Sequence, residues 1–457
     1  MKEEKNMNKR KIILLSIFII CFLIGILLLI FNGNSIFKKH SFSYKKITAK
    51  EIKSKYKNIS FNSSTLLKNG ETIKTEGSYD LQGEYECITI DTKYNVELNL
   101  KDANIICEDG PALYIKNANL VKMNIIGNNT ISSTTTENFD GAIYSKEDLY
   151  FSGEGSLLIN SNYDGIVSKD SILIESGRYE ITSQDDAIRG KDSVAIMNGT
   201  FILNASKGIK TNNDLEKGKG FIVIDNGNFT IKSEKDGIQA ETDLIINNGE
   251  YNIHTSGDAN LGSTKGLKAG NLIQITDGNF EIVSMDDAIY SDGNIGLYGG
   301  SITVKSDSDA IDANRIILIK DGTYDFNSNR GLVATYIKMD NGTIHLFAYE
   351  AGIRVNNRSG DNDMALEVNG GELNINMKPG ETYGIHSDGN IYLNKGTLSV
   401  KAKNPFYYGG KTKYKGGKLI VNEKELTEFQ NELMSVEELR ERQPSPPPQQ
   451  QPQQPQK

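Results

Sequence analysis

Residues 265–313 read KGLKAGNLIQITDGNFEIVSMDDAIYSDGNIGLYGGSITVKSDSDAIDA and contain two successive copies of one pattern. The first copy begins with GNFEI at Gly278 and continues with DAIYS at Asp287. The second begins with GSITV at Gly300 and continues with DAIDA at Asp309, 22 residues later in each case. Apolar and polar residues alternate after each glycine, which predicts a short β-strand with one buried side. This stretch therefore predicts a short repeat that is built from strands.

The same pattern extends in both directions, over about residues 78–421. A third short strand completes each unit, as in SILIES from Ser171 and FIVIDNG from Phe221. Three strands in about 22 residues fit neither a leucine-rich repeat, which contains a helix, nor a propeller blade of about 40 residues. They predict an all-β parallel β-helix, a solenoid in which each coil stacks about 4.8 Å from the next. Strands that follow a glycine recur after Gly177, Gly199, Gly227, Gly249, Gly278, Gly300, Gly322, Gly342, Gly371 and Gly396.

The composition supports a solenoid and excludes several classes of protein. The chain has 457 residues, with 44 Gly, 9 Pro, 3 Cys and a formal net charge of −8. An acidic chain without a basic block is poorly suited to nucleic acid, whose phosphates require Lys and Arg. Three Cys and four His also argue against a disulfide scaffold and a zinc finger. The length suggests two or three globular domains, but one elongated solenoid explains it better.

The two ends of the chain differ from the repeat. Residues 12–31 are twenty uncharged residues, long enough for a helix to cross a bilayer, and residues 444–457 are almost entirely Pro and Gln. A cleaved signal peptide is the alternative at the N-terminus, but its apolar region is shorter and ends in small residues. We expect a single-pass cell-membrane protein with most of the chain outside the cell. The predicted segments are a cytoplasmic tail (1–11), a transmembrane anchor (12–31), a linker and N-terminal cap (32–77), the β-helix (78–421), an amphipathic helical segment (422–443) and a disordered tail (444–457).

Cys87 and Cys107 lie twenty residues apart, about one coil. Stacking places such residues near enough for a disulfide bond. The interpretation that we favour from the sequence is two thiols stacked in the apolar core, with the disulfide as the alternative.

Acidic residues repeat at the start of the second strand, where they stack from coil to coil. Like charges at that distance repel one another unless a cation bridges them, and Ca²⁺ binds six to eight oxygens with loose geometry. The alternative is that Asp caps each turn through main-chain N–H groups. We expect two calcium sites, one at Asp164, Asp185 and Asp186 and the other at Asp286, Asp287 and Asp309.

The stretch 265–313 resembles the clostridial cellulose- and pectin-binding family of carbohydrate-binding domains, and the resemblance extends over about residues 78–355. It implies a secreted, right-handed parallel β-helix that binds calcium and plant-type polysaccharide, related in fold to calcium-dependent pectate lyases. It also implies a non-catalytic role. Five residues match the acidic coil positions of that family, namely Asp185, Asp186, Asp286, Asp287 and Asp309. The match fails where the Asp is replaced, at Lys207, Lys265, Arg330 and Glu350.

Sugar binding without Trp requires other side chains. The candidates are Tyr144, Tyr163, Tyr290, Lys207, Lys210 and Arg189, with Tyr324, Tyr407 and Tyr408 as further aromatic residues. Each Tyr could instead pack between coils, and His254, His345 and His386 have no ligand spacing.

We therefore expect a monomer that binds an acidic or cellulose-like polysaccharide through calcium-bridged coils. A calcium-dependent lyase is one alternative, with Lys207, Lys210 or Arg189 as the base that removes the C5 proton of a uronide. A structural surface rod or adhesin is the other. The interpretation that we favour for these three basic residues is a solvated outer face or a salt bridge to the stacked Asp residues.

Overall fold

Three sheet faces wind around one apolar core in the computed structural model of the chain, and successive coils pair in parallel. The structure describes residues 41–429, except residues 55, 57–58, 135–138, 361–362 and 381. The chain divides into two units, Met1–Tyr44 and Lys45–Lys457, and the β-helix belongs to the second. The prediction of an all-β class with a parallel solenoid is confirmed.

The A face consists of the strands that follow the repeated glycines. In Arg178–Ser183, the side chains of Tyr179, Ile181 and Ser183 are buried and the residues between them are exposed. A strand with one side in the core produces this alternation. The A-face strands are Asn128–Ser133, Ser156–Ser161, Arg178–Ser183, Thr200–Ala205, Asn228–Ser233, Glu250–Thr255, Asn279–Ser284, Ser301–Ser306, Glu372–Met377, Thr397–Lys401 and Lys418–Val421.

The B face consists of the strands that begin at or just after the repeated Asp or its replacement. These strands are short and largely buried, and in Asp309–Ala313 all five residues are buried. The B-face strands are Ile88–Asp91, Leu113–Asn117, Gly141–Ser145, Asp164–Ser168, Asp186–Gly190, Lys207–Thr211, Ile238–Ala240, Leu267–Ala269, Ile289–Ser291, Asp309–Ala313, Tyr383–Ser387 and Asn404–Tyr408.

The C face completes each coil. Its strands are Leu120–Ile126, Leu149–Ser152, Ser171–Ile174, Ser193–Ile196, Phe221–Ile224, Asp243–Ile246, Leu272–Ile275, Asn294–Leu297, Ile316–Ile319, Tyr336–Met339, Ala365–Val368, Asn390–Leu393 and Thr412–Tyr414. Longer strands turn a corner between two faces. Gly77–Tyr85 and Asn95–Cys107 pass from the C face to the A face, whereas Thr323–Ala334 and Thr343–Val355 pass from the A face to the B face.

Exact register between coils stacks like side chains in the core. Phe201, Phe229, Tyr251 and Phe280 occupy one A-face position in four successive coils. Their ring centroids are 4.4–4.8 Å apart and their planes lie within 3° of parallel. Such stacks stabilise the register, because a slip by one residue would turn every one of these rings toward solvent.

Sterics require glycine at the corner that precedes the A face. Gly300 has a φ of +82°, and a Cβ atom there would lie 2.5 Å from the carbonyl oxygen of Gly278 in the preceding coil. Any other residue would clash with that carbonyl and would be strained by the left-handed backbone. The glycine recurs once per coil because successive coils approach one another closely at this corner.

The N-terminal segment lies along the C face. Helix α1 (Ala49–Lys53) begins with a capping box between Thr48 and Glu51. Its apolar residues pack on outward C-face side chains that occupy one register position in successive coils, namely Tyr150, Leu173, Ala195, Val223 and Ile245. The strand Ser64–Leu66 then pairs with Gly77–Tyr85 and begins the solenoid. Part of the predicted linker thus covers one side of the β-helix.

The last described residues close the other end of the core. Lys424–Leu426 is a strand that pairs antiparallel with Lys418–Val421, and Phe429 packs on Phe406 with ring centroids 5.3 Å apart. The prediction of a helical segment from residue 422 is therefore wrong for these three residues, because the edge of the last coil offers them a partner strand. Residues 430–443 of that segment lie outside the described residues.

Among residues 41–429, no helix is long and apolar enough to cross a bilayer. The predicted anchor at 12–31 and the predicted tails at 1–11 and 444–457 lie outside the described residues.

Cys87 and Cys107 form a disulfide bond, with Cα atoms 4.9 Å apart. The favoured prediction of two core thiols is wrong. Cys87 is exposed at the corner between Gly77–Tyr85 and Ile88–Asp91, so it is not a core residue. Stacking of the first coils brings Cys107 within bonding reach of it.

Candidate functional site

The outward side of the B face carries one side chain per coil in strict register. Many of these side chains are charged, amide or aromatic, and they form a continuous line along the solenoid. This B-face row consists of Tyr144, Val167, Arg189, Lys210, Gln239, Lys268, Tyr290, Asp312, Val333, Arg354, His386 and Tyr407.

A second line of charged residues lies at the corner between the A and B faces, three residues before the B-face row. Acidic and basic residues are mixed along it, and its Asp residues are buried. This corner row consists of Asp164, Asp186, Lys207, Asp236, Lys265, Asp287, Asp309 and Arg330.

Asp164, Asp185 and Asp186 come together as the sequence predicts, with one carboxylate oxygen of each within 4.8 Å of the others. The main-chain N–H of Asp186 donates to Oδ1 of Asp164 over 2.7 Å. Both carboxylate oxygens of Asp186 are buried and accept no hydrogen bond from the described residues. Oδ2 lies 3.2 Å from Lys210 Nζ and 3.4 Å from Arg189 Nε, which compensates part of the charge. Oδ1 has no such partner among the described residues, and a buried oxygen without a donor is costly, so it has the capacity to bind a cation.

Basic side chains already supply part of the compensating charge at this cluster. Arg189 Nε donates to Oδ2 of Asp164 over 2.6 Å, and its Nη2 contacts both Asp164 and Asp140. Lys210 Nζ lies 3.2 Å from Asp186. Sugar binding, a role as base and a salt bridge to the stacked Asp residues were the predicted alternatives for Arg189 and Lys210, and the structure places both of them against the Asp cluster.

The pKa values show that this compensation is incomplete. Burial raises the pKa of Asp164 to about 7, against the effect of the nearby Arg189. Burial also raises the pKa of Asp186. A raised pKa means that the carboxyl group tends to hold a proton. A further cation beside it would stabilise the ionised form instead. The donor set therefore fits Ca²⁺, and Asp164, Asp185 and Asp186 are the residues that would hold it.

The second acidic cluster contains Asp287, Asp309 and Asp312 rather than Asp286. Asp286 instead receives Lys265 Nζ at 2.6 Å, and the same Nζ lies 2.7 Å from Asp287. The difference arises because Asp286 is a half-buried residue that precedes the B-face strand and pairs with Lys265, whereas Asp312 lies on the B-face row, three residues after Asp309. Asp312 could have been found from its place three residues after Asp309.

Each carboxylate of the second cluster has a basic partner. Arg330 donates to both oxygens of Asp309, at 2.7 and 2.8 Å, and Arg358 pairs with Asp312. Together with Lys265 at Asp287, each of the three carboxylates has a cationic partner, although burial still raises the pKa of Asp309 to about 7. The residues present therefore fit Ca²⁺ less well here than at the first cluster.

The predicted aromatic residues have different surroundings. Tyr144 is only 8% exposed and packs between Tyr114 and Phe139, so it offers no open platform for a sugar. Tyr290 donates to Asp292 at 2.7 Å and lies under Lys265 Nζ, 4.6 Å from the ring centroid. Tyr163 is half-buried, and its carbonyl accepts from the N–H of Asp185 at 3.2 Å.

Lys207 is the more buried of the two predicted lysines. Its Nζ donates to Gln239 and lies 3.9 Å from Asp236. Burial lowers its pKa, and the charge of Lys210 lowers it further.

A group in the last coils was predicted only in part. Tyr407 was a candidate for sugar binding, whereas His386 was treated as an ordinary residue. Arg354, His386 and Tyr407 are register neighbours on the B-face row, and Tyr383 is on the same strand as His386. Their place in the repeat, three residues after the Asp position, was the available signal.

The chain is similar to a known protein family over most of its length. A family model described as "Carbohydrate-binding domain-containing protein" matches residues 69–310 and 300–426, well over half of the chain. No curated protein matches. A solved structure described as the polysaccharide lyase-like protein from C. thermocellum, as a gadolinium derivative, is similar at 20% identity and a TM-score of 0.36, covering 56% of this chain and 96% of that chain.

Proposed function

Because this chain belongs to the carbohydrate-binding domain-containing protein family, we propose that it binds polysaccharide along the B face of its β-helix. The B-face row carries this proposal. Lys210, Gln239, Lys268 and Tyr290 project from four successive coils in one register position. Amide, ammonium and phenol groups spaced about 4.8 Å apart can follow the hydroxyl groups of an extended polymer along the solenoid axis.

The C face is less suited to this role. Its outward apolar residues from Tyr150 to Ile245 are covered by the N-terminal segment. The B-face row is flanked instead by the corner row, which holds its side chains in place through ion pairs. Lys268, for example, lies 3.8 Å from the buried Asp236. A binding side chain that is already ordered loses less conformational entropy when the ligand arrives.

We propose a plant-type polysaccharide, cellulose- or pectin-like, as the ligand and a non-catalytic role for the chain. The guanidinium group of Arg189 supports this role, because it stays protonated and is engaged by Asp164 and Asp140. It is therefore a poor base for removing a sugar proton.

Calcium is the second part of the proposal. Asp164, Asp185 and Asp186 would hold one Ca²⁺. Oδ1 of Asp186, which is buried and has neither a hydrogen bond nor an ion pair among the described residues, supports this assignment. A bound Ca²⁺ would supply positive charge at the corner beside the B-face row, where it would attract an acidic sugar. The second cluster, with its three basic partners, is not part of the proposal.

Co-sedimentation of the full chain with insoluble cellulose and with a pectin gel tests the binding surface. We expect the combined Lys268→Ala and Tyr290→Ala variant to lose most of the bound fraction. The matched control is Lys232→Ala with His254→Ala, a lysine and an aromatic residue that are also register neighbours but lie on the A face. Equal loss in both variants, or no loss in the first, would overturn the B-face assignment.

A calcium-dependent lyase is the second candidate, favoured by the lowered pKa of Lys207 beside the first Asp cluster. A buried lysine that loses its proton more easily is better suited to act as a base. Incubation with polygalacturonate and Ca²⁺ tests it. Ultraviolet absorbance from an unsaturated product that disappears in Lys207→Met would establish the lyase, and its absence would leave the binding role.

We propose that the protein is anchored in the cell membrane with the β-helix outside the cell. The disulfide between Cys87 and Cys107 supports this location, because such bonds persist in oxidising compartments. Protease treatment of intact cells tests it. Degradation of the β-helix epitope is expected, and full protection until the cells are lysed would contradict the proposal.

A further inference from the structure

The last coils of the B face bring three rings together around one arginine. The ring of His386 lies 4.4 Å from Tyr407 and 5.1 Å from Tyr383, measured between centroids. All three rings are inclined to one another rather than stacked, with interplanar angles of 57–67°. They therefore form an angled aromatic wall.

Arg354 lies in the coil just before this wall and is incompletely paired. Its Nη2 donates to Oδ2 of Asp388 at 3.1 Å. Its Nη1 is buried and donates to no acceptor among the described residues. A guanidinium group presents donors in a planar fork that matches a carboxylate. The Arg354 side chain is 22% exposed, so an incoming carboxylate would meet the guanidinium group at its exposed edge.

The charge of this end of the solenoid is opposite to that of the chain as a whole. Residues 383–429 contain eight lysines and four acidic residues, a net charge of +4, whereas the whole chain carries −8. Lys403 precedes and Lys411 follows the strand Asn404–Tyr408, which contains Tyr407. The concentration of positive charge favours the approach of an anion.

His386 contributes hydrogen bonding rather than charge near neutral pH. Burial, together with the charge of Arg354, lowers the pKa of its imidazole to about 4. Its Nε2 lies 3.4 Å from Oδ1 of Asp388. A neutral imidazole can exchange hydrogen bonds with a sugar hydroxyl group while Arg354 keeps the positive charge.

We propose that Arg354, Tyr383, His386 and Tyr407 form a calcium-independent subsite for a carboxylate-bearing sugar residue. The carboxylate pairs with Arg354, and the sugar ring contacts the aromatic wall. This inference rests on the proposed polysaccharide-binding function and adds a second site, of opposite charge to the acidic cluster, at the other end of the B-face row.

Calorimetric titration of the full chain, kept in mild detergent with EDTA, tests the subsite. The probes are an oligogalacturonate and a neutral cello-oligosaccharide of equal length. We expect tighter binding of the oligogalacturonate, weakened about tenfold or more in Arg354→Gln, as for loss of a charge-assisted hydrogen bond. Tyr407→Leu changes the aromatic wall in another coil and should weaken oligogalacturonate binding by a similar factor. Arg178→Gln, exposed on the A face, is the control that should bind as the wild type does.

Three results would overturn the subsite: no oligogalacturonate binding in EDTA, equal affinity for the two probes, or wild-type affinity in both variants. If Lys268→Ala with Tyr290→Ala abolishes polysaccharide binding while Arg354→Gln does not weaken it, the subsite alone fails. If the wild type binds no polysaccharide under any condition, the proposed function fails with it.

Discussion

Arg189 donates to the carboxylate of Asp164 from the next coil, with Nε 2.6 Å from Oδ2. Asp164 is 1% exposed, so its charge has little contact with water and depends on this partner. The contact shows how the repeat accommodates stacked Asp residues. Basic residues from neighbouring coils compensate part of the negative charge, so a metal ion is not the only cation available to do so.

Loss of this partner should destabilise the protein. Arg189→Gln leaves Asp164 and Asp140 without their guanidinium group, and breaking a buried ion pair costs about 3–5 kcal/mol. Urea unfolding of the variant measures the loss. Lys169→Gln is the control, since this more exposed residue also contacts Asp140. A change of similar size in both variants would contradict the special role of Arg189.

Calcium should raise the melting temperature through Asp186. A ligand that binds only the folded state at 100 times its Kd stabilises by about 2.7 kcal/mol. We expect the wild type to melt at a higher temperature in CaCl₂ than in EDTA. Asp186→Asn should melt at the same temperature in both. Asp325→Asn, exposed on the A face, should respond as the wild type does. Indifference of the wild type to EDTA would refute the calcium site.

The metal-free protein should lose stability as the pH rises from about 4 to 7. Burial, as the largest cause, raises the pKa of Asp164, Asp170 and Asp309 to about 7 in the folded state. The folded protein therefore holds protons that the unfolded chain has released, and the free energy of unfolding falls across this window. His386, with its pKa lowered to about 4, has the opposite effect but is a single group. Thermal melting in EDTA checks the trend, and a steady rise of melting temperature from pH 4 to 7 would contradict it.

Reduction of the disulfide should loosen the first coils. A crosslink between residues twenty apart contributes about 3 kcal/mol in the chain-entropy description. Because coils contact mainly their neighbours, the effect should be local. Hydrogen exchange after Cys87→Ser with Cys107→Ser should speed up in Gly77–Tyr85 and remain unchanged in Ser301–Ser306. Uniform acceleration would indicate global rather than local destabilisation.

The repeat was predictable because the glycines and the alternating residues recur once per coil, and they fix the register of every coil. Register in turn predicted that Asp164 and Asp186 would meet. A salt bridge from Arg189 to the stacked Asp residues was one of the interpretations from the sequence, and its pairing with Asp164 is observed. Register could not predict which other side chains reach across coils, so the pairing of Lys265 with Asp286 was missed.

Other features have weak signals in the sequence. The N-terminal segment around Ala49 and Ile52 shows no period that would predict its packing on the C face, since that contact depends on outward apolar residues in five separate coils. The antiparallel strand Lys424–Leu426 could not be predicted either, because apolar residues at helical spacing also suit a strand at the edge of the last coil.

Lysine acetylation, measured by mass spectrometry with and without bound polysaccharide, tests the central claim most directly. Lys210 and Lys268 project from the B-face row, whereas Lys232 and Lys305 project from the A face. The B-face account predicts that polysaccharide slows acetylation of Lys210 and Lys268 and leaves Lys232 and Lys305 unchanged. Protection of the A-face pair alone, with bound polysaccharide present, would contradict it.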